Sequence, residues 1–176
     1  MDRVITSSPL KYTIMFVLLI LAQVLICNNI LLFGVAFPFL FIFFILTLPL
    51  NTNLNLLMAL SFLMGLLIDI FDDTLGLLAF ASLLLAVIRK PVFYLYMHRD
   101  EKFAASVPCV SVMGWAAYLK YIFTLTAFFT AVVFGIEFFN FEMIGRIFVM
   151  IISSTLLTMV LLTALDAVCN REPYRE

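Results

Sequence analysis

Residues 62–85, FLMGLLIDIFDDTLGLLAFASLLL, decide the fold because an acidic cluster interrupts an otherwise apolar stretch. The acids are Asp69, Asp72 and Asp73, and the chain becomes apolar again after Thr74. A carboxylate inside hydrocarbon costs about 2.5–3.5 kcal/mol on insertion scales, so the acids mark the place where one helix ends. The oxygens of Asp72, Asp73 and Thr74 can accept hydrogen bonds from the free N–H groups of the next helix. The stretch therefore predicts a tight helical hairpin with an acidic tip.

The composition of the chain is that of an integral membrane protein. Of 176 residues, 65% are hydrophobic and 12% are charged, whereas about 25% are charged in soluble domains. Apolar runs of helical length alternate with short polar breaks, which indicates helices rather than the ~10-residue strands of a barrel. The net charge of −1 and the lack of a basic arm exclude a nucleic-acid binder that acts through electrostatic attraction. We therefore predict an all-α integral membrane protein.

Six transmembrane helices account for the apolar runs, and we predict that they form a single domain over residues 1–176. No small-x-small cleavage site follows the first run, so we interpret it as a retained span and not as a signal peptide. The second run contains Pro38, and neighbouring helices can supply the hydrogen bonds that a proline removes. Its phenylalanines point in several directions, and we expect them to meet lipid on at least one face. The six spans cover about 10–27, 30–48, 54–71, 74–96, 117–139 and 144–168.

The basic residues indicate the orientation of the six spans. With the N-terminus inside, the cytoplasmic segments hold nine lysines and arginines, and the external segments hold only Arg146. Arg89 and Lys90 would lie near the cytoplasmic surface, where we expect both side chains to snorkel toward water. Both termini are therefore predicted to be cytoplasmic, and the acidic tip at residues 69–73 is predicted to face outward.

The acidic tip is the strongest candidate for chemistry, since hard divalent cations prefer carboxylate oxygens. Membrane phosphotransferases use two such aspartate motifs on facing helices, however, and this chain has one. The single histidine and the three well-separated cysteines provide neither a metal cluster nor a credible nucleophile pair. We therefore predict no catalytic residue, no metal site and no cofactor. The acids are then helix caps at the water interface or, through Asp69, a contact with a partner.

Small and hydroxyl-bearing residues recur every three or four positions on three of the predicted helices. Such faces let helix backbones approach closely in lipid, so we expect them to serve internal packing, the alternative being the docking of another protein's helix. We expect the hydroxyls of the sixth span to bond carbonyls of the preceding turn or a neighbouring helix. The recurring residues are Ala79, Ser82 and Ala86 on the fourth span, Ala127, Ala131 and Gly135 on the fifth, and Ser154 and Thr158 on the sixth, where Ser153 and Thr155 add two further hydroxyls.

Gly65 and Asp69 are four residues apart and therefore lie on one face of the third helix. The cost of the charge keeps that face away from lipid. The face either packs inside the bundle, against the start of the fourth helix at Gly76, or receives a partner. We favour the interior, where Gly65→Leu would overpack and where Asp69→Asn would keep most of an internal hydrogen bond. Gly65, Asp69, Asp72 and Gly76 are thus the structural or partner-contact candidates.

The hairpin pattern FxxGLLIDIFDDTLGLLAFASLLLA resembles the signature region of the rod shape-determining protein MreD family. In that family a glycine precedes a leucine-rich turn and an aspartate, and a Leu-Gly pair opens the next helix. The upstream FGVAFPFLFIFFILTLP resembles the family's second membrane segment. The resemblance is strong over residues 33–89 and weak elsewhere. The matching positions are Gly65, Asp69, Leu75 and Gly76 in the hairpin, with Pro38 and Pro49 upstream.

The resemblance implies a non-catalytic scaffold subunit of the bacterial rod complex, or elongasome, in the inner membrane. It implies binding to MreC, and through MreC a link to the RodA glycosyltransferase, its transpeptidase partner and MreB filaments, in support of cell shape and lateral peptidoglycan synthesis. The family's helices are also similar in arrangement to the S components of energy-coupling-factor transporters, so a small-molecule-binding or transport subunit is the main alternative. A lipid-modifying enzyme is a third hypothesis, which depends on the aspartates alone. Contacts with membrane lipid and a homodimer are compatible with each of them.

Overall fold

The computed structural model describes residues 9–25, 36–97, 107–137 and 144–169 of the chain. Seven helices lie within these ranges. Three are short, since α1 has 17 residues, α2 has 6 and α5 has 4. The helices are α1 (Pro9–Leu25), α2 (Ile42–Thr47), α3 (Leu54–Asp72), α4 (Leu77–Tyr96), α5 (Val110–Met113), α6 (Trp115–Glu137) and α7 (Ile144–Cys169).

Four of the helices, α3, α4, α6 and α7, are long and apolar enough to cross a membrane, with mean hydropathies of 1.7–2.3. They occupy the third to sixth predicted spans. Only 28–44% of each spanning window is buried inside the protein, so each helix keeps an apolar side that the protein does not cover. Apolar helices of this length with uncovered sides are typical of a hydrocarbon environment. In the part of the chain that the structure describes, the fold is therefore that of a helical protein of the multi-pass membrane class.

The long helices pack in sequence order, α3 on α4, α4 on α6 and α6 on α7, and α1 packs beside α3. Contacts between α6 and α7 show that this pair is antiparallel. Thr130 and Thr155 share a hydrogen bond of 2.9 Å, while Tyr118, at the other end of α6, bonds to Asp166. Hydroxyl pairs of this kind hold helices together in lipid, where hydrophobicity does not drive association.

The segment 36–50 forms the centre of the bundle, and the prediction of a continuous second helix over 30–48 is wrong for its described residues. Residues 30–35 lie outside the described part of the chain. From Ala36 the backbone is irregular, and helix is confined to α2. The expectation that the phenylalanines would meet lipid is also wrong for all the described ones but the half-buried Phe37, because the others are between 0% and 6% exposed. These buried residues are Phe39, Phe41, Phe43 and Phe44.

Proline explains the irregular backbone, and α1 supplies the hydrogen bonds that the backbone lacks. Pro38 has no N–H to donate, and a proline disfavours helix in the residue before it. Such backbone is stable at membrane depth only where the protein itself bonds its polar groups. The buried Gln23 side chain does so with both ends, donating from Nε2 to the Pro38 carbonyl at 3.0 Å and accepting the Leu40 N–H at 2.8 Å. Phe16 then packs on Phe44, with ring centroids 5.2 Å apart, so the segment runs antiparallel to α1.

Helix α7 holds the same segment from the other side through its hydroxyl groups. The Phe37 N–H donates to Ser154 Oγ at 3.0 Å, and the Phe39 N–H donates to Thr158 Oγ1 at 3.1 Å. Ser153 donates to the Met150 carbonyl of its own helix at 3.2 Å. The prediction that the hydroxyls of the sixth span bond the preceding turn or a neighbouring helix is confirmed for Ser153 and for Thr155, which bonds Thr130 of α6, whereas Ser154 and Thr158 bond non-helical backbone instead. The later residue of the segment bonds the later residue of α7, so the segment runs parallel to α7.

The stripes of small residues differ in what they contact. On α4, Ala79, Ser82 and Ala86 are buried, which confirms the prediction of internal packing. On α6, Ala131 and Gly135 are exposed, and a Cβ added at Gly135 would meet no atom within 4 Å. The same prediction is therefore wrong for α6, because its packed face is the one that carries larger residues.

The two neighbouring cations of α4 lie in different environments. Lys90 is exposed, as expected, but the prediction that Arg89 snorkels is wrong, because that residue is only 1% exposed. Arg89 lies on the buried face of α4, together with Ser82, Ala86 and Phe93. Adjacent residues of a helix point about 100° apart, so one cation enters the bundle while the other leaves it.

Candidate functional site at the α3–α4 hairpin

The turn between α3 and α4 uses two left-handed backbone positions. Helix α3 ends at Asp72, and the C-cap residue Asp73 has φ 53° with its N–H donating to the Asp69 carbonyl. Aspartate is among the few residues other than glycine that tolerate this conformation. Gly76, the N-cap of α4, has φ 80°, and nothing lies within 4 Å of the Cβ it lacks. Gly76 is thus needed for its backbone conformation and not for space.

The Asp69 carboxylate connects the two helices. It is 2% exposed and accepts at both oxygens, from the Leu78 N–H at Oδ1 (3.0 Å) and from the Ala79 N–H at Oδ2 (2.8 Å). The Thr74 hydroxyl also donates to Oδ1. A carboxylate at a helix N-terminus satisfies N–H groups that have no partner within the helix, and its charge is favourable at that end of the helix dipole. Asp69 therefore caps α4 from the preceding helix.

Gly65 allows the close approach that the Asp69 bonds require. A Cβ at this position would lie 2.6 Å from Ala79 Cα and 2.7 Å from the Leu78 carbonyl carbon. Both atoms belong to the backbone and cannot move aside alone. Gly65 and Asp69 thus contact the same first turn of α4, one helical turn apart on α3.

The cap that the sequence assigned to Asp72, Asp73 and Thr74 is supplied by Asp69 instead. Helix α3 extends to Asp72, and α4 begins at Leu77 rather than at Thr74. The acids at 72 and 73 therefore lie at the end of α3 and in the turn, where Asp73 is exposed and Asp72 is half-buried. Asp69, one turn before the end of α3, is the acid whose side chain reaches the start of α4.

The outer surface of the hairpin is apolar although its turn is acidic. Ile70 and Phe71 are 64% and 63% exposed, and Leu75 is fully exposed. We call these three residues the apolar tip. Beside the tip, residues 73–77 and the end of α6 at Ile136 and Glu137 line an open cleft. Asp69 therefore stabilises the hairpin from inside, while the outer surface of the hairpin presents hydrophobic side chains.

A second buried acid, Asp166, was missed by the sequence analysis. It lies in the last two turns of α7, is 3% exposed, and accepts the Val110 N–H of α5 at 3.3 Å as well as a bond from Tyr118. Burial, reinforced by the charge of Asp166, raises the pKa of the nearby Cys109 thiol. A higher pKa leaves less thiolate at neutral pH and makes the cysteine less reactive. The sequence around Asp166, TALDAVC, shows only a lone acid in an apolar run, so it does not indicate this role.

The arrangement at the hairpin is that of a structural cap. Within the described ranges, no three His, Cys, Asp or Glu side chains come together as metal ligands. Of the four candidate residues, Gly65, Asp69 and Gly76 are brought together by the turn, and Asp72 lies beside them. These features define a multi-pass helical membrane protein with an internally capped hairpin.

The comparisons with known proteins add no relative. No family model matches the chain, and neither the curated proteins nor the solved structures contain a match.

Proposed function

We propose that the protein is a non-catalytic scaffold subunit of the bacterial rod complex in the inner membrane, where it binds MreC and supports cell-shape control. The proposal begins with the resemblance of residues 33–89 to the MreD family. It is supported by the way in which the matching residues are used. Gly65 and Asp69 join α3 to α4, so the residues that carry the resemblance build a rigid hairpin.

One observation carries the proposal furthest: the Asp69 carboxylate bonds to three donors of its own chain. A carboxylate with three such bonds fixes the shape of the hairpin surface, which favours a structural role over a catalytic one. The surface that it shapes is the apolar tip, Ile70, Phe71 and Leu75, which extends from the hairpin. A single membrane helix with an external domain, such as that of MreC, can pack on an apolar surface at the outer edge of the bilayer. RodA, its transpeptidase partner and MreB would then be reached through MreC.

The proposal includes six passes across the membrane with both termini in the cytoplasm. The segment 36–50 is irregular, but it runs antiparallel to α1, as a returning pass would. An extended backbone advances about 3.3 Å per residue against 1.5 Å in a helix, so fewer residues are needed for the crossing. Together with α1 and the four long helices, this segment makes up the six passes.

Co-purification tests the MreC contact. Leu75→Ser changes the apolar tip without touching the Asp69 cap, and we expect MreC recovered with the affinity-tagged protein to fall at least about fivefold, since truncating an interface residue that contributes strongly to binding costs more than about 1 kcal/mol. Leu95→Ser is the matched control, because Leu95 is also highly exposed but lies at the other end of α4. Equal recovery of MreC with both variants would show that the apolar tip is not part of the interface. If no MreC co-purifies with the unmodified protein, the proposed relation to the MreD family is contradicted.

A small-molecule-binding subunit, similar to the S components, is the second candidate. The observation in its favour is the open cleft between the start of α4 and the end of α6, which has Asp73 and Glu137 on its polar edge. A ligand of this cleft would carry positive charge. Thermal unfolding of the purified protein with a panel of organic amines tests this candidate. A stabilisation that Glu137→Gln abolishes supports binding, and the absence of any shift rejects it.

A further inference from the structure

Arg89 places a positive charge inside the bundle without a counter-ion from the described residues. It is 1% exposed, and its Nε and Nη2 atoms make no hydrogen bond. Among the described residues, the titratable groups that act on its guanidinium are Tyr121 and Tyr12, and neither is a carboxylic acid. Because arginine stays protonated in proteins, the charge must be balanced by something other than these side chains. A buried cation with no partner is strongly unfavourable.

The unpartnered atoms have the geometry of an oxyanion site. Nε–H and the adjacent Nη2–H lie along one edge of the planar guanidinium group, the edge that binds two oxygens of one anion side by side. The hydroxyl of Tyr121 pairs with the guanidinium, is itself buried, and bonds to no other described group. A carboxylate has two oxygens, which the guanidinium edge alone would engage. A phosphate has a further oxygen for the tyrosine hydroxyl.

The position of Arg89 along α4 suits a phosphate that comes from the membrane surface. Arg89 precedes the last residue of α4, Tyr96, by seven positions, which corresponds to about 10 Å along the axis. The exposed Lys90 and the aromatic Tyr94 and Tyr96 are features of helix ends at the headgroup level. In the predicted orientation this end of α4 is cytoplasmic, the side on which a negative surface potential attracts basic residues.

We propose that Arg89 and Tyr121 bind the phosphate group of a ligand between α4 and α6, supplied either by an anionic phospholipid or by free phosphate. The two nitrogens of the guanidinium edge hold two phosphate oxygens, and the tyrosine hydroxyl donates to a third. The site is independent of the proposed contact with MreC, which involves the other end of α4. It also provides a counter-ion for the buried charge of Arg89.

Thermal unfolding of the purified full-length protein in detergent micelles tests the proposal. The probes are a short-chain phosphatidylglycerol, a diacylglycerol of the same chain length that lacks phosphate, and inorganic phosphate. Arg89→Met keeps a long side chain and removes the charge, and Tyr121→Phe removes only the hydroxyl. Lys90→Met is the matched control, because it removes the adjacent charge from an exposed position.

We expect phosphatidylglycerol, at about a hundredfold excess over its Kd, to raise the Tm of the unmodified protein and of Lys90→Met by about 5–10 °C. Arg89→Met should show no such shift, and Tyr121→Phe should show a smaller one. Diacylglycerol should have no effect on any variant. Without ligand, Arg89→Met should be at least as stable as the unmodified protein, because it removes a buried charge that no described side chain balances.

The two probes distinguish the sources of the phosphate. A shift with phosphatidylglycerol alone identifies a lipid headgroup, and a shift with inorganic phosphate identifies a free anion. The proposal is overturned if neither phosphate probe stabilises the unmodified protein, if diacylglycerol stabilises it equally, or if Arg89→Met responds as the unmodified protein does. Native mass spectrometry provides a second measurement. A phospholipid retained by the unmodified protein and by Lys90→Met but lost from Arg89→Met supports the site, and equal retention by all three contradicts it.

Discussion

Asp69 shows how a single residue can begin a helix to which it does not belong. Its two oxygens face the first turn of α4 and accept from the N–H groups of Leu78 and Ala79. Thr74 adds a hydroxyl donor from the turn itself. Hydrogen bonds to a charged acceptor contribute about 1.5–3 kcal/mol each, so this cluster offsets much of the cost of burying the acid. Because both oxygens accept, an amide is a poor replacement for the carboxylate.

We therefore predict that Asp69→Asn destabilises the protein by about 1–3 kcal/mol, since its NH₂ group would face another N–H donor. This revises the expectation from the sequence that an internal bond would largely survive the amide. The measurement is the Tm of the purified variant in detergent. Asp73→Asn is the control, because that residue is exposed and asparagine also tolerates a left-handed backbone. Equal Tm values for the two variants would contradict the capping role of Asp69.

Substitutions of Gly65 and Gly135 should have opposite effects. Gly65→Ala places a Cβ 2.6 Å from the backbone of Ala79, so α3 and α4 must separate, and we expect a loss of about 1–3 kcal/mol. Gly135→Ala meets no atom within 4 Å and should be neutral or stabilising by up to about 1 kcal/mol, because alanine favours helix. Thermal unfolding of both variants checks the prediction. A Gly65→Ala protein as stable as the Gly135→Ala protein would show that the helices do not approach so closely.

At the scale of elements, the segment 36–50 is the most unusual part of the chain. It is one of the most apolar stretches, yet its N-terminal part is not helical and depends on side chains of α1 and α7 for its hydrogen bonds. The buried phenylalanines gain edge-to-face contacts with α6, such as Phe39 on Phe129 at 5.2 Å between ring centroids. The segment thus holds α1, α6 and α7 in place, and its own structure depends on them.

Gln23 is the side chain on which this segment depends most directly. We predict that Gln23→Leu destabilises the protein by about 2–5 kcal/mol, because the Pro38 carbonyl and the Leu40 N–H both lose their partner inside the bundle. Thr163→Ala is a suitable control, since the one described partner of its hydroxyl is the Val160 carbonyl of its own helix. Limited proteolysis and thermal unfolding give the comparison. If Gln23→Leu is no more sensitive than Thr163→Ala, the irregular segment does not need α1.

At the scale of the whole molecule, buried acids lie at the two ends of α6. Asp69 belongs to the hairpin beside Glu137, whereas Asp166 holds α5 and Tyr118 at the beginning of α6. Each acid accepts hydrogen bonds from the start of a helix, which is where N–H groups need partners. The apolar helices between them carry the lipid-facing surface. The molecule is therefore fastened by buried acids near both ends, and between them by packing together with the polar contacts of Gln23, Thr130 and Ser154.

Cysteine labelling tests the proposed orientation. In a variant without the native cysteines, single cysteines at Asp73 and Asn140 should react with a membrane-impermeant maleimide added to intact cells, because both positions are predicted to be outside. Cysteines at Arg99 and Arg171 should react only after the membrane is permeabilised, as the basic-residue bias predicts. Labelling of the Arg99 position in intact cells would overturn the six-pass topology. Labelling of no position before permeabilisation would place the hairpin inside.

The sequence alone determined the class of the protein and the location of the hairpin. Long apolar runs predict membrane-spanning helices for two reasons that depend on the local sequence alone. Apolar side chains are unfavourable in water, and a backbone N–H in lipid is unfavourable unless it is bonded, which a helix achieves within its own segment. The turn at residues 72–76 was visible for the same reason, since its acids and Gly76 are local signals. Gly65 and Asp69 could also be paired, because four residues make one helical turn.

Only the tertiary structure decided which acid caps α4, where the phenylalanines of 36–50 lie and which way Arg89 points. Each of these depends on a neighbour distant in sequence: Ala79 for Asp69, Gln23 and Ser154 for the irregular segment, and Tyr121 for Arg89. A local pattern can show that a segment is apolar, and in this chain lipid and the protein interior are both apolar. Hydrophobicity therefore cannot distinguish a helix that faces lipid from a segment at the centre of the bundle. Whether a segment faces lipid or lies at the centre is decided by how the helices pack and by which hydrogen-bond partners the buried polar groups reach in the assembled bundle.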